Sequence, residues 1–230
     1  MNKPPFELGE RLKACADFVR NGSRVADIGT DHAYLPIWLV KNNIAKFAIA
    51  ADVNSGPLES ARKNVEKYKV PEFVDFRLSD GLEKIGENEV DDIIIAGMGG
   101  ELIKRIIFDA PWLANTEKSL ILQPMSSVAE LRLALLEKGI KVFAEKAVID
   151  CGKVYSIFRC SYVAETLHED ELFQYMGKIE PNSPAAADYA EKTIKKLRGK
   201  ALGFSHTGEM NGLAKLEDII KKISEKYLQG

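Results

Sequence analysis

From residue 23 to residue 138 the chain repeats one pattern: a short run of β-branched and apolar residues, then a longer segment with helically spaced apolar positions. The runs cover 23–28, 47–53, 74–78, 92–96 and 120–122. A helix between successive strands returns the chain to the same end of the sheet, so these units predict a parallel sheet built by βαβ crossovers. Two further β-runs, 141–149 and 154–163, are joined only by Asp150-Cys151-Gly152-Lys153. That link is too short for a crossover and predicts an antiparallel hairpin. A parallel sheet that ends in a hairpin has seven strands, which separates this chain from a nucleotide-binding Rossmann domain of six parallel strands. The fold class expected is therefore α/β, with helices on both faces of the sheet.

The flanks read as helices. Leu8, Leu12, Cys15 and Val19 share one face of an amphipathic entry helix, with Arg11, Lys13 and Asp17 on others. Ser55 precedes Pro57-Leu58 as a helix start, and Ser126 opens VAELRLALLEK, which Gly139 ends. Past Glu165 the strands cease, and Pro181 and Pro184 punctuate a polar connection. Two heptad-like seams follow, Ala187, Ala190, Ile194, Leu197 and Ala201, then Leu213, Leu216, Ile220, Ile223 and Tyr227, linked across 203–212. They predict a C-terminal helical hairpin, coiled-coil-like, and two regions: 1–163 and 164–230. With 230 residues, 46% of them hydrophobic, the chain can bury one good core and a small appendage.

Lys+Arg number 32 and Asp+Glu 34, a formal net charge of -2, which excludes a strongly basic nucleic-acid binder but not a local basic patch. No apolar run reaches the length of a membrane span, and MNKPPFELGERLK lacks the apolar stretch of a signal peptide. A soluble, cytoplasmic protein with no membrane partner is expected, and a monomer. Cys15, Cys151 and Cys160 form no CxxC, which argues against a disulfide framework and a zinc site; they are expected to be buried small hydrophobes, and no metal is expected.

The first strand runs into Asp27-Ile28-Gly29-Thr30-Asp31-His32. An acid, a glycine and a helix start form a nucleotide-cofactor loop, because the absent side chain admits a ligand to the backbone. A diphosphate loop would carry a second glycine where Asp31 stands. A carboxylate there repels diphosphate and favours a cation, which disfavours NAD and suits S-adenosyl-L-methionine, whose sulfonium and amino groups are positive. The bland alternative is a glycine turn with a solvated Asp. Asp52 ends the second strand, where an acid accepts hydrogen bonds from ribose hydroxyls; it could equally cap the following helix. The third strand ends at Ser79-Asp80-Gly81, an acid placed to receive an adenine amino group, and the fourth at Gly97-Met98-Gly99-Gly100, where backbone and thioether can pack close to a ligand.

DIGTDHAYLP, AADVNSGPLESA, SDGL, IIAGMGG and LILQP, in that order, closely resemble the bacterial tRNA (adenine(22)-N1)-methyltransferase (TrmK) family across residues 1–163. The resemblance implies a class I methyltransferase fold with a Rossmann-like seven-stranded sheet and S-adenosyl-L-methionine as cofactor. It implies a tRNA partner too, methylated to 1-methyladenosine at position 22 in the D-arm region, with S-adenosyl-L-homocysteine as the other product. Asp27, Gly29, Asp52, Asp80 and Gly97 fall where such enzymes hold the cofactor; their neighbours Thr30, Asp31, Val53, Gly81 and Met98 complete the expected set. Asp31 departs from the general methyltransferase glycine pattern but agrees with this family's own form.

Adenine N1 needs no deprotonation before it attacks a methyl group, so such an enzyme mainly positions reactants and excludes water. Asp31 is the expected catalytic residue, stabilising charge that develops on the base, with the cofactor's amino group as its competing partner. His32 receives no acid–base role. Tyr34 could stack on a flipped base, or belong to the core. Arg11, Lys13, Lys192, Lys195, Lys196, Arg198 and Lys200 are candidate RNA contacts, against the reading of solvated helix faces. A methyltransferase of a small metabolite would share every cofactor feature. A non-catalytic S-adenosylmethionine-binding interaction protein is the other class open, and the intact loop and GMGG cluster argue against it. A protein glutamine or DNA adenine methyltransferase would show N/D-P-P-Y/F after the fourth strand, where AGMGG stands.

Overall fold

The computed structural model describes residues 6–229 and joins the expected strands into one seven-stranded sheet. They are β1 (Ser23–Ile28), β2 (Ala45–Asp52), β3 (Val74–Leu78), β4 (Asp92–Gly99), β5 (Ser119–Ser126), β6 (Ile140–Asp150) and β7 (Lys153–Tyr162), in spatial order β3-β2-β1-β4-β5-β7-β6. β1 to β5 pair in parallel, and β7 is antiparallel to both β5 and β6. The helices are α1 (Glu10–Ala16), α2 (Tyr34–Lys41), α3 (Ser55–Lys67), α4 (Gly100–Phe108), α5 (Val128–Glu137), α6 (Phe173–Met176), α7 (Ala186–Thr207) and α8 (Met210–Tyr227). No helix among the described residues is long and apolar enough to cross a membrane.

Side chains alternate across a strand, and here both faces are covered, so the central strands read as nearly continuous apolar runs. Ala26, Ile28, Ile93, Ile95, Leu120 and Leu122 meet α4 and α5 through Ile103, Ile107, Leu131 and Leu135. On the other face Val25, Ala48, Ala50, Ile94 and Ile121 meet Cys15 of α1, Leu39 of α2, and Ala61 and Val65 of α3. Chain direction diverges at β1, whose neighbours are β2 and β4. That divergence opens a crevice beyond the carboxyl ends of the strands, where doubly wound sheets bind ligands.

Local differences from the sequence expectations have physical causes. β4 runs to Gly99, beyond the predicted end at Ala96, because its register with β5 slips at Gly97 and Met98 in a bulge. Gly97 takes φ +80°, which a glycine adopts without strain. Cys15 and Cys160 are buried as expected, but Cys151 is exposed: with Gly152 it forms the tight β6–β7 turn, at φ +48° and +73°. Ser127, not Ser126, is the residue before α5, at φ +50°. The link between α7 and α8 shrinks to Gly208-Glu209, since α7 carries Gly203 inside its packed length. Ala187 is exposed, and the seam runs instead through Ala186 and Tyr189. α6, with four residues, is too short for periodicity to show.

The root of the tail is bound into the sheet domain. Phe173 of α6 packs in the core formed by α4 and α5. Arg132 of α5 and Glu145 of β6 form a fully buried ion pair at 2.5 Å. Arg132 also donates to the carbonyls of Gln174 and Tyr175 and to the Tyr189 hydroxyl, while Glu145 accepts the Lys178 N–H. A Cβ on Gly177 would lie 1.7 Å from a Glu145 oxygen, so only glycine fits beside the pair. The first residues of the tail thus satisfy a buried charge pair in the sheet domain, which gives the tail a structural part.

Candidate active site

Five strand ends converge on the crevice. The β1 loop leaves the sheet at Gly29, with φ +74°, and both Gly29 and Thr30 donate their backbone N–H to the Ala51 carbonyl of β2. These N–H groups are therefore spent within the protein and make no anion cradle, which extends the argument against a diphosphate. His32 and Ala33 follow at φ +60° and +55°. Two consecutive non-glycine residues in the left-handed region store strain of roughly 1 to 3 kcal/mol each, a feature concentrated at ligand sites. The Asn64 side chain of α3 donates to the His32 carbonyl and holds the turn.

Gly29 is a cradle. A Cβ there would stand 2.2 Å from the Met98 methyl carbon, so Met98 lies directly over the glycine and the bulged end of β4 roofs the β1 loop. Beside it Asp27 is buried, and burial pushes its carboxyl up to about 6, with the charge of Asp52 adding to the effect. Arg11 works the other way, as does the nearby Thr30 hydroxyl, which is itself buried without a partner in hydrogen-bond geometry. A buried acid, a second acid next to it and an unpartnered hydroxyl around a glycine cradle form a donor set suited to a ligand with positive charge.

Asp52 ends β2 half-buried and accepts the Asn54 N–H on one oxygen, leaving the other free for a ligand hydroxyl. The helix-capping alternative is thus half realised, since Asn54 precedes α3. Val53 is 61% exposed, an apolar face presented at the rim. Asp80 is engaged: Arg105 of α4 holds it at 2.9 and 3.1 Å and keeps its carboxyl below its ordinary range. A ligand amino group would have to share it. Gly81 serves packing, because a Cβ would meet Ile106 of α4 at 2.9 Å. Asp31 is the most open of the rim acids, its side chain 84% exposed and 3.1 Å from His32 Nε2. Tyr34, at the first position of α2, sets its ring edge-on to Phe6 at 5.2 Å and remains 40% exposed.

Arg11, expected at RNA, points instead into the sheet end: its guanidinium donates to Gln123 Oε1 at 2.7 Å, and a Cβ on Gly97 would lie 3.5 Å from it. The same Gln123 oxygen accepts the Gly97 N–H at 3.0 Å, and the Gln123 Nε2 donates to the Pro124 carbonyl. Gln123 is thus the residue that sequence reasoning passed over. The signal was an amide inside the apolar run LILQP, because a buried amide must find partners. Lys192 and Lys196 lie on the side of α7 that faces the β5–α5 junction, whereas Lys195 does not.

The family profile described as methyltransferase domain matches residues 8–158. A tRNA (adenine(22)-N(1))-methyltransferase of Bacillus subtilis (strain 168) is 38% identical over 152 residues, 66% of this chain and 64% of that protein. The match thus spans a little less than two thirds of that relative. Among solved structures, Streptococcus pneumoniae Sp1610 in complex with S-adenosyl-L-methionine is 33% identical with a TM-score of 0.81, covering 93% of this chain and 100% of that one. TrmK of M. capricolum in complex with S-adenosyl-homocysteine is 28% identical with a TM-score of 0.81, covering 96% and 100%. With its sheet order, its glycine-cradled acidic crevice and these likenesses together, the chain belongs to the methyltransferase-domain family, in the company of the tRNA (adenine(22)-N1)-methyltransferases.

Proposed function

We propose that this chain transfers a methyl group from S-adenosyl-L-methionine to N1 of an adenosine in tRNA, at position 22 of the D-arm region, giving 1-methyladenosine. What carries the reading is likeness over the whole chain, helical tail included, to a protein named for this family. A methyltransferase of a small metabolite would share the crevice without calling for the tail. When bound, the cofactor would supply an electrophilic methyl carbon. Asp27 and Asp31 offset positive charge, Asp52 takes a ribose hydroxyl and Val53 gives an apolar face to the adenine. Asp80 and Arg105, with Gly81 behind them, close the adenine side, and Gly97 and Met98 roof the site. The target N1 attacks with its own lone pair, so the chain needs no general base and no metal for this step. As the base gains positive charge, Asp31 opposes it at the N1/N6 edge. Tyr34 offers a half-exposed ring for the extruded base. The reading puts the chain in the cytoplasm with its substrate. Its test is incubation with labelled cofactor and either unmodified tRNA or free adenosine. Label in the tRNA alone supports the reading; label in neither overturns it.

Asp27 gives this proposal a pH signature. Its folded carboxyl sits at about 6 against an ordinary 3.8, so between those values the native state holds a proton that the unfolded chain has lost. Its contribution to stability is therefore full below about pH 4, declines as pH rises to about 6, and amounts to roughly 3 kcal/mol lost by pH 7. Asp27→Asn is expected to raise the melting temperature at pH 7.5 and to weaken cofactor binding. In the wild type, affinity for S-adenosyl-L-methionine should rise from pH 5 to pH 7.5 as Asp27 ionises. Calorimetry at the two pH values checks this, and equal affinities would remove Asp27 from the site.

A further inference from the structure

A cavity of about 240 Å³ lies beside the crevice, between α7 and the junction of β5 with α5. Met125, Ser126 and Ser127 line one side, and Lys192, Lys196 and Lys200 of α7 line the other. Spaced four residues apart, these lysines stack along one face of the helix. The cavity shares a wall with the crevice: the Ser126 hydroxyl lies 3.1 Å from a Cβ position on Gly99, and the Ser127 carbonyl 2.6 Å from one on Gly100. Val128 and Ala129, the first residues of α5, also line it, and no side chain caps that helix. Its positive end adds to the field of the lysines.

The charges are incompletely balanced. Lys200 meets Glu130 at 3.6 Å, and Lys196, without an ion pair within 4.0 Å among the described residues, lies in the field of the same carboxylate, so one acid faces three lysines. Lys192 donates to the Val154 carbonyl at 2.7 Å and sits over the Tyr155 ring. Burial holds its ammonium below the ordinary lysine value, and the neighbouring charge of Lys196 adds to the effect. An anion in the cavity would relieve that repulsion. The volume falls below the roughly 300 to 1,000 Å³ of pockets that enclose a drug-sized ligand, so it suits a sugar-phosphate better than a complete nucleotide.

We propose that this cavity is a sugar-phosphate subsite, which grips the RNA strand next to the adenosine held in the crevice. Lys196 and Lys200 take the phosphate, and Met125 and Val128 take the ribose face. The subsite rests on the tRNA reading above and deepens it: α7 acts at the strand beside the target base, and the rest of the hairpin can be spared for other contacts.

The test uses the full chain with Lys196→Glu and Lys200→Glu together, and Lys215→Glu on α8 as an equal-sense charge control. The probes are an unmodified tRNA transcript and a fluorescein-labelled RNA pentanucleotide, with cofactor calorimetry and melting curves alongside. The double variant should bind both RNAs roughly tenfold or more weakly at about 0.1 M salt and reduce the logarithmic salt slope by about 1. Its melting temperature and cofactor affinity should match the wild type, and the loss should appear in KM for tRNA more than in kcat. Lys215→Glu should change RNA binding less than roughly twofold. Equal losses in both proteins, or none in the double variant, would overturn the subsite. Wild-type protein that methylates tRNA while the double variant binds it undiminished would keep the functional reading and sink the subsite. Lysine-dependent pentanucleotide binding with no tRNA methylation would sink the functional reading and keep the subsite.

Discussion

Glu145→Ala is expected to lower stability by roughly 3 to 5 kcal/mol, because it leaves the Arg132 guanidinium buried without its countercharge. For a chain of this size that corresponds to a fall in melting temperature of roughly 6 to 20 °C, a large share of the 5 to 15 kcal/mol that holds most domains together. Replacing both partners by apolar residues, Arg132→Met with Glu145→Leu, should recover only part of the loss. The carbonyls of Gln174 and Tyr175, the Tyr189 hydroxyl and the Lys178 N–H would then lack their partners. A chain cut after residue 163 loses all four groups at once, together with Phe173 from the core, and is expected to unfold without cooperativity. Thermal melts followed by circular dichroism decide the matter; a Glu145→Ala melting temperature within about 2 °C of wild type would contradict this role for the buried pair.

Asp31→Ala should lower turnover on tRNA roughly a hundredfold, the scale seen when a group aimed at developing charge is removed. Asp31→Asn separates its two possible partners. An amide still accepts a hydrogen bond from the adenine amino group but cannot offset a cation. If Asp31 serves the base, the Asn variant binds S-adenosyl-L-methionine as the wild type does and loses turnover. If it serves the cofactor's amino group, affinity and turnover fall together. The carboxylate is suited to either part, being 84% exposed at the rim with His32 beside it. Wild-type turnover in both variants would strike Asp31 from the mechanism.

The sheet was legible because its signals are local and repeated. Each βα unit carries its own punctuation, and the four residues between the last two β-runs leave no route but a hairpin. The rim acids were legible for a related reason: in a parallel sheet, residues at strand carboxyl ends meet in space however far apart they lie in sequence. What stayed hidden depends on contacts between distant segments. Arg11 looked like an exposed helix cation until Gln123 appeared 112 positions away to receive it. Asp80 read as a free acid because the Arg105 that occupies it belongs to α4. Gly81 stands in the SDGL motif, but that it also makes room for Ile106 follows only from the packing of α4, and Gly177, which carries no motif, is explained by the approach of Glu145. The lysines of α7 showed their spacing in the sequence, but which of them share a cavity follows from the packing of α7 against β6 and β7.

The central claim is tested most directly by mapping the methylated base. Unmodified tRNA transcript is incubated with the full chain and S-adenosyl-L-methionine, digested to nucleosides for mass spectrometry, and read in parallel by reverse transcription, which 1-methyladenosine arrests. The account predicts a single new nucleoside, 1-methyladenosine, with one arrest at the D-arm adenosine at position 22 and none when that adenosine is replaced by guanosine. Methyl transfer to another atom or another position, or cofactor binding with no RNA methylated, would contradict it.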